Sequence, residues 1–183
     1  VMDDSFPLAS DAYPTYTVDI RRNDMDLFEV AIKLEQEGAQ FYTELAKKAP
    51  TEGFASIFSS LAKDEKKHES YFRVLQQKSA PVSVDSQVVE EAKQVFKAFD
   101  PESFPSSEDQ VPAYEEAIQI EKKSIDFYTS QLDSLMFEAE KKALTTIISE
   151  EKKHLAILEE MLKLVTRPHR WVENAEFGVR EDY

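Results

Sequence analysis

The amino-acid sequence predicts an all-α protein, a four-helix bundle whose second and third helices are joined by a long crossover. Three observations lead there. Only three glycines occur in 183 residues, while Lys, Glu, Ala, Leu and Gln crowd the middle of the chain, a helix-forming composition. Apolar residues recur there at helical spacing in four long segments. Those segments form two pairs that repeat one another at a fixed offset of 86 residues.

Taken in order, residues 1–22 carry Pro7 and Pro14, show no helical period and read as an extended arm, with Thr15 to Val18 as a short strand. A first helix is expected from the N-cap candidates Asn23 or Asp24 to about Ala49, before Pro50. Thr51 can cap a second helix that reaches about Lys78, ahead of Pro81. These two helices make the first repeat, about residues 24–78. The crossover, 79–108, contains a short amphipathic helix over Gln87 to Phe99 and a loop with Pro101 and Pro105. A third long helix follows from about Asp109 to Ser134, with Pro112 tolerable in its first turn. The fourth, from about Phe137 to Thr166, is expected to stop before Pro168 and completes the second repeat, 109–166. The tail 167–183 reads as irregular, with Trp171 and Phe177 as anchors onto a single bundle domain over 23–166.

Composition removes several function classes. There is no cysteine, so disulfides, thiolate metal sites, iron–sulfur clusters and cysteine nucleophiles are excluded from these residues. A bound metal must be held by carboxylates, imidazoles, carbonyls or water, which favours harder ions or a mixed N/O site. The net charge of −14 disfavours nucleic acid and anionic membranes and attracts cations, although solubility alone accounts for acidity of this size. No apolar run approaches the roughly 20 residues of a membrane span. The first residues, Val1-Met2-Asp3-Asp4, have neither the basic start nor the apolar stretch of a secretory signal, so cytoplasm is the expected location.

The repeat itself carries the chemistry. Ala31-Ile32 matches Ala117-Ile118, Glu35 matches Glu121, and Phe41-Tyr42-Thr43 matches Phe127-Tyr128-Thr129. Glu65-Lys66-Lys67-His68 matches Glu151-Lys152-Lys153-His154, with Asp64 against Glu150 just before. Two of the three histidines therefore fall at equivalent positions, each three residues after a Glu. On the second helix the core face reads Phe58, Leu61, Glu65, His68, Phe72, Leu75, and on the fourth Leu144, Ile147, Glu151, His154, Leu158, Met161. The first gives Phe28, Ile32, Glu35, Ala39, Tyr42, Ala46, and the third Tyr114, Ile118, Glu121, Ile125, Tyr128, Leu132.

Four carboxylates buried in apolar stripes would each cost several kcal/mol if left unpaired. No Lys or Arg lies on these stripes, whereas two divalent cations would neutralise them. Glu and His three apart point to one side of a helix. The expected ligands are thus Glu35, Glu65, His68, Glu121, Glu151 and His154, converging on a dimetal site of the ferritin-like kind. A single Glu-x-x-His usually lies on a solvated face; two in register inside apolar stripes do not.

Tyr42 and Tyr128 lie two turns beyond Glu35 and Glu121 and lean back toward the metal layer, either to hold a ligand carboxylate or simply as core aromatics. Gly38 and its counterpart Ser124 are small beside the ligand Glu, from close helix crossing in the first instance, or to leave room for oxygen or peroxide. His169 stands outside the repeat and is not assigned to the metals.

At these residues the chain resembles the ferritin-like superfamily, and within it the rubrerythrin-related proteins. Glu35, the pair Phe41-Tyr42, and Glu65 with His68, all repeated, match their signature over about residues 24–166, and Pro168 to Phe177 is similar to their C-terminal end. The resemblance implies a ferritin-like bundle with two irons, Glu35 and Glu121 as terminal ligands, Glu65 and Glu151 as bridges, and one histidine on each metal. It also implies reduction of peroxide or dioxygen. Rubrerythrins proper append a four-cysteine rubredoxin domain, so with no cysteine here a separate donor protein such as a rubredoxin is expected. They also carry a further Glu where this chain has Ile118, which argues against their ligand-swapping cycle. Bacterioferritins share the six ligands but place a haem-ligating Met where Lys66 stands.

The sequence leaves three functions open: a diiron oxidoreductase, a ferroxidase for which Fe(II) is substrate, and a bundle whose metals are structural and whose surface binds a partner. Manganese can replace iron in such a ligand set. A homodimer is expected from apolar anchors in the arm and tail, with neither nucleic acid nor membrane as partner.

Overall fold

The computed structural model describes residues 27–77, 84–101, 103–104 and 110–176, with the side chains of the last helix described to Thr166. The arm, its expected strand, and the anchor side chains Trp171 and Phe177 lie outside the described residues, as does the side chain of His169.

Among the described residues the fold is all-α. Helix α1 spans Leu27–Lys48 and ends on Lys47 and Lys48, which suit the negative end of its dipole. Pro50 then precludes continuation, and Thr51 caps α2, Glu52–Gln76, by accepting the Phe54 N–H at 3.3 Å. The crossover helix α3 is Val88–Ala98, buried through Val88 and Ala92 and packed on α2 and α5. Helix α4, Val111–Gln131, takes Pro112 in its first turn and tightens into a 3₁₀ turn at Leu132–Ser134.

Helix α5 runs Glu138–Glu176, which corrects the expected stop at Thr166 and the irregular tail beyond it. Pro168 has no N–H to give the Leu164 carbonyl, so one bond of the ladder is lost. Its fixed φ near −65° is nonetheless helical, and the ladder resumes after it.

Each repeat is a pair of adjacent helices, α1 on α2 and α4 on α5. Gln110 Nε2 donates to the Lys48 carbonyl at 3.0 Å, placing the start of α4 beside the end of α1, so these two run antiparallel. The bundle core divides into two apolar layers. One gathers Tyr42, Leu45, Phe54, Phe58, Leu61, Tyr114, Leu158 and Met161. The other gathers Ala31, Ile32, Phe72, Tyr128, Leu144 and Ile147. Between them lies a layer of buried acids and histidines.

Candidate metal centre

All six expected ligands are buried in that middle layer, each 4% exposed or less. Their helices deliver them as the sequence spacing requires. Glu65 with His68, and Glu151 with His154, project from one face each of α2 and α5, while Glu35 and Glu121 enter from α1 and α4. Ligand atoms of Glu35, Glu65, His68 and Glu151 lie within 4.8 Å of one another, and so do those of Glu65, Glu121, Glu151 and His154. Glu65 and Glu151 are common to both groups.

The imidazoles present Nδ1 to the acids. His68 Nδ1 is 3.0 Å from Glu151, 3.5 Å from Glu35 and 3.6 Å from Glu65. His154 Nδ1 is 3.2 Å from both Glu65 and Glu151 and 3.8 Å from Glu121. The two rings lie nearly parallel, with centroids 5.5 Å apart.

Both tyrosines reach ligand carboxylates, and each crosses to the other repeat. Tyr42 on α1 donates to Glu121 on α4, and Tyr128 on α4 donates to Glu35 on α1. Helical side chains lean toward their own N-terminus, so on antiparallel helices a Tyr and the facing Glu lean together. Burial, and then the neighbouring carboxylates, push both phenols well above their ordinary pKa, so they keep the proton they donate.

Burial is also the largest influence at Glu35 and Glu121; with the charges of Glu151 and Glu65 it holds both well above the usual carboxylate range. Burial opposes charge on Glu65 as well, but its hydrogen bond with Glu35 and the two imidazoles outweigh it, and Glu65 sits well below that range. Glu151 is lowered too, because the two imidazoles overcome burial and the charge of Glu65. The histidines, which burial alone would lower, are raised well above their ordinary value by the facing carboxylates. Burial and mutual charge thus pull Glu35 and Glu121 one way and Glu65 and Glu151 the other, with both imidazoles held toward their protonated form.

The donor set fits divalent cations. No Lys or Arg pairs with the four ligand carboxylates among the described residues. Both nitrogens of each histidine and both oxygens of Glu151 are buried without a hydrogen-bond partner. Unsatisfied buried polar atoms are costly, and here the two Nδ1 nitrogens and the Glu151 oxygens converge on one place. Oxygen and imidazole donors with no sulfur suit iron or manganese.

Two further residues belong to the site. Gly38 faces the side chain of Glu65: a Cβ there would lie 3.5 Å from its Cγ and 3.8 Å from Oε2. Its smallness therefore borders the site, not a close backbone crossing. Asp64, 2% exposed, stands behind His154 with Oδ2 3.6 Å from Nε2. Sequence reasoning saw Asp64 only as the repeat mate of Glu150; an acid preceding a Glu-x-x-His inside a core stripe was the available signal. Ile118 is 5% exposed among core residues and brings no donor to the site.

The rubrerythrin family profile matches residues 26–162, three quarters of the chain. This chain belongs to the rubrerythrin family. No curated protein and no solved structure matched it. The rubrerythrin match spans both repeats and the crossover, so the six buried residues lie wholly inside it. No described helix of this rubrerythrin-family chain is long and apolar enough to cross a membrane.

Proposed function

We propose that the chain is a diiron-carboxylate oxidoreductase of rubrerythrin type that reduces peroxide or dioxygen with electrons from a separate donor. The observation that carries this is the pair of buried four-residue groups sharing Glu65 and Glu151. Glu35 with His68 would hold one iron, Glu121 with His154 the other, and Glu65 and Glu151 would bridge, with manganese as the alternative metal. Bound there, two irons would supply Lewis acidity and the two electrons that cleavage of a peroxide O–O bond takes up, dioxygen needing two more from the donor.

The chain's own residues supply the setting. Apolar layers on both sides exclude water, which strengthens every electrostatic interaction inside. Tyr42 and Tyr128 fix the orientation of Glu121 and Glu35 from across the bundle. Gly38 leaves open beside the Glu65 side chain the space that a Cβ would occupy. With no cysteine in these 183 residues, reducing equivalents would arrive from another protein, such as a rubredoxin, and the functional unit would be a homodimer.

The test is anaerobic loading with Fe(II), followed by rapid mixing with hydrogen peroxide. Two irons per chain should be taken up and oxidised much faster than free Fe(II), and reduced rubredoxin should restore the ferrous state for further turnovers. Oxidation no faster than that of free Fe(II) would sink the proposal. Iron oxidised and then released, with no further turnover, would favour the ferroxidase reading instead.

A further inference from the structure

Each ion position has the same kind of donor set, yet the residues behind the two imidazoles differ. Behind His154, Asp64 is held on every side. Its Oδ1 accepts from Lys67 Nζ at 2.8 Å, and its Oδ2 accepts from Ser86. Ser86 in turn accepts the Val88 N–H at 3.2 Å, and Lys67 also donates to the Asp85 carbonyl at 2.8 Å. The end of the crossover and the start of α3 thus fix Asp64 against Nε2 of His154, 3.6 Å away and just beyond hydrogen-bond length.

By the repeat, the counterpart of Asp64 is Glu150, one methylene longer. Its Oε1 meets Lys153 at 2.6 Å, while its Oε2 is buried without a hydrogen-bond partner. Among the described residues no carboxylate pairs with His68 Nε2, whose Nδ1 faces all three acids it meets. The chain has two repeats but one crossover, and among the described residues the brace stands on one side alone.

We propose that Asp64 is a positioning residue for His154 and makes the two ion positions unequal: the one held by His154 and Glu121 fills first and more tightly. A carboxylate facing the far nitrogen keeps the proton on Nε2, leaves the Nδ1 lone pair toward the ions, and makes the imidazole a better donor. The donor groups being otherwise matched, this contact decides between them. The inference rests on the dimetal reading above.

Stepwise titration of the metal-free full chain with Co(II), followed by calorimetry and by the visible absorption of the bound ion, tests it. Wild type should bind two ions in two resolved steps. Asp64→Ala should weaken the tighter step by about 10–100-fold and leave the weaker one within about threefold, so that the steps converge. Asp64→Asn, which keeps the shape of the side chain, should act in the same direction and guards against misfolding, checked by helical content and melting of the metal-free protein. Ser86→Ala should weaken the same step by less, and Glu150→Ala should move neither. The changed step should also carry a changed Co(II) spectrum, which a merely structural loss would not produce. Two ions bound in equal steps, or Asp64→Ala weakening both steps alike or neither, would overturn this inference and leave the dimetal reading standing. Failure of wild type to bind a pair of ions would overturn both.

Discussion

Tyr42 and Tyr128 are fully buried, and each phenol has a carboxyl of the opposite repeat as its acceptor. Removing one hydroxyl leaves a buried carboxyl oxygen without its donor. Tyr42→Phe and Tyr128→Phe should each lower the stability of the metal-free protein by about 1–2 kcal/mol, and by similar amounts, because the repeat makes their surroundings alike. Urea unfolding measures this; a null effect at either site would show that the phenol is only a core aromatic. Gly38 makes the opposite prediction. A Cβ there meets Glu65 at ordinary contact distance, so Gly38→Ala should raise the metal-free melting point, by up to about 1 kcal/mol in stability from helix propensity. Destabilisation instead would mean that Glu65 cannot give way. The meeting of the acids and imidazoles in the core was legible in the sequence because Glu-x-x-His recurs at one offset. The crossing of the tyrosines was not, since spacing along α1 says nothing about which helix faces it.

At the scale of elements, α3 lies so close to α2 that a Cβ on Gly53 would come within 2.9 Å of Val95 Cγ1. Val95 is β-branched and half-buried, so it cannot swing clear at low cost. Gly53→Ala should therefore destabilise the protein by about 1–2 kcal/mol despite better helix propensity, and Val95→Ala in the same chain should recover most of that. Additive effects in this double-mutant cycle would mean the two helices do not press on each other here. Thr51 as a cap, Pro50 as a stop and the amphipathic crossover helix could all be read from local chemistry. Pro168 could not: proline ends most helices, and here its φ fits the helix it interrupts, so α5 continues to Glu176.

For the whole molecule, the layer of acids and histidines is the place where two apolar cores meet, and its charge must balance whether or not ions are bound. Glu35, Glu121, His68 and His154 are all raised above their ordinary values, so protons compete with divalent ions for this layer. Loading ions should therefore release protons, measured in weakly buffered solution, and apparent affinity should fall as pH falls because protons compete for the same atoms. Release of none would show that the site is already deprotonated. Ions binding the folded chain alone should also raise its melting point with metal concentration, and chelation should reverse that.

By itself, the sequence determined the helices, the pairing of the two repeats and the six acids and imidazoles that converge between them. Periodicity and an internal repeat are one-dimensional properties, and buried polar residues inside an apolar stripe announce their own purpose. Only the tertiary structure decided that Tyr42 serves Glu121 and not Glu35, that Gly38 borders Glu65, and that Asp64 stands behind His154 with the crossover bracing it. Those pairings join residues far apart in the chain, and they depend on the direction in which each side chain leans and on which helix lies opposite. The crossover exists once in a molecule whose Glu-x-x-His helices come in twos, and that asymmetry takes effect only where the folded chain sets Ser86 against Asp64.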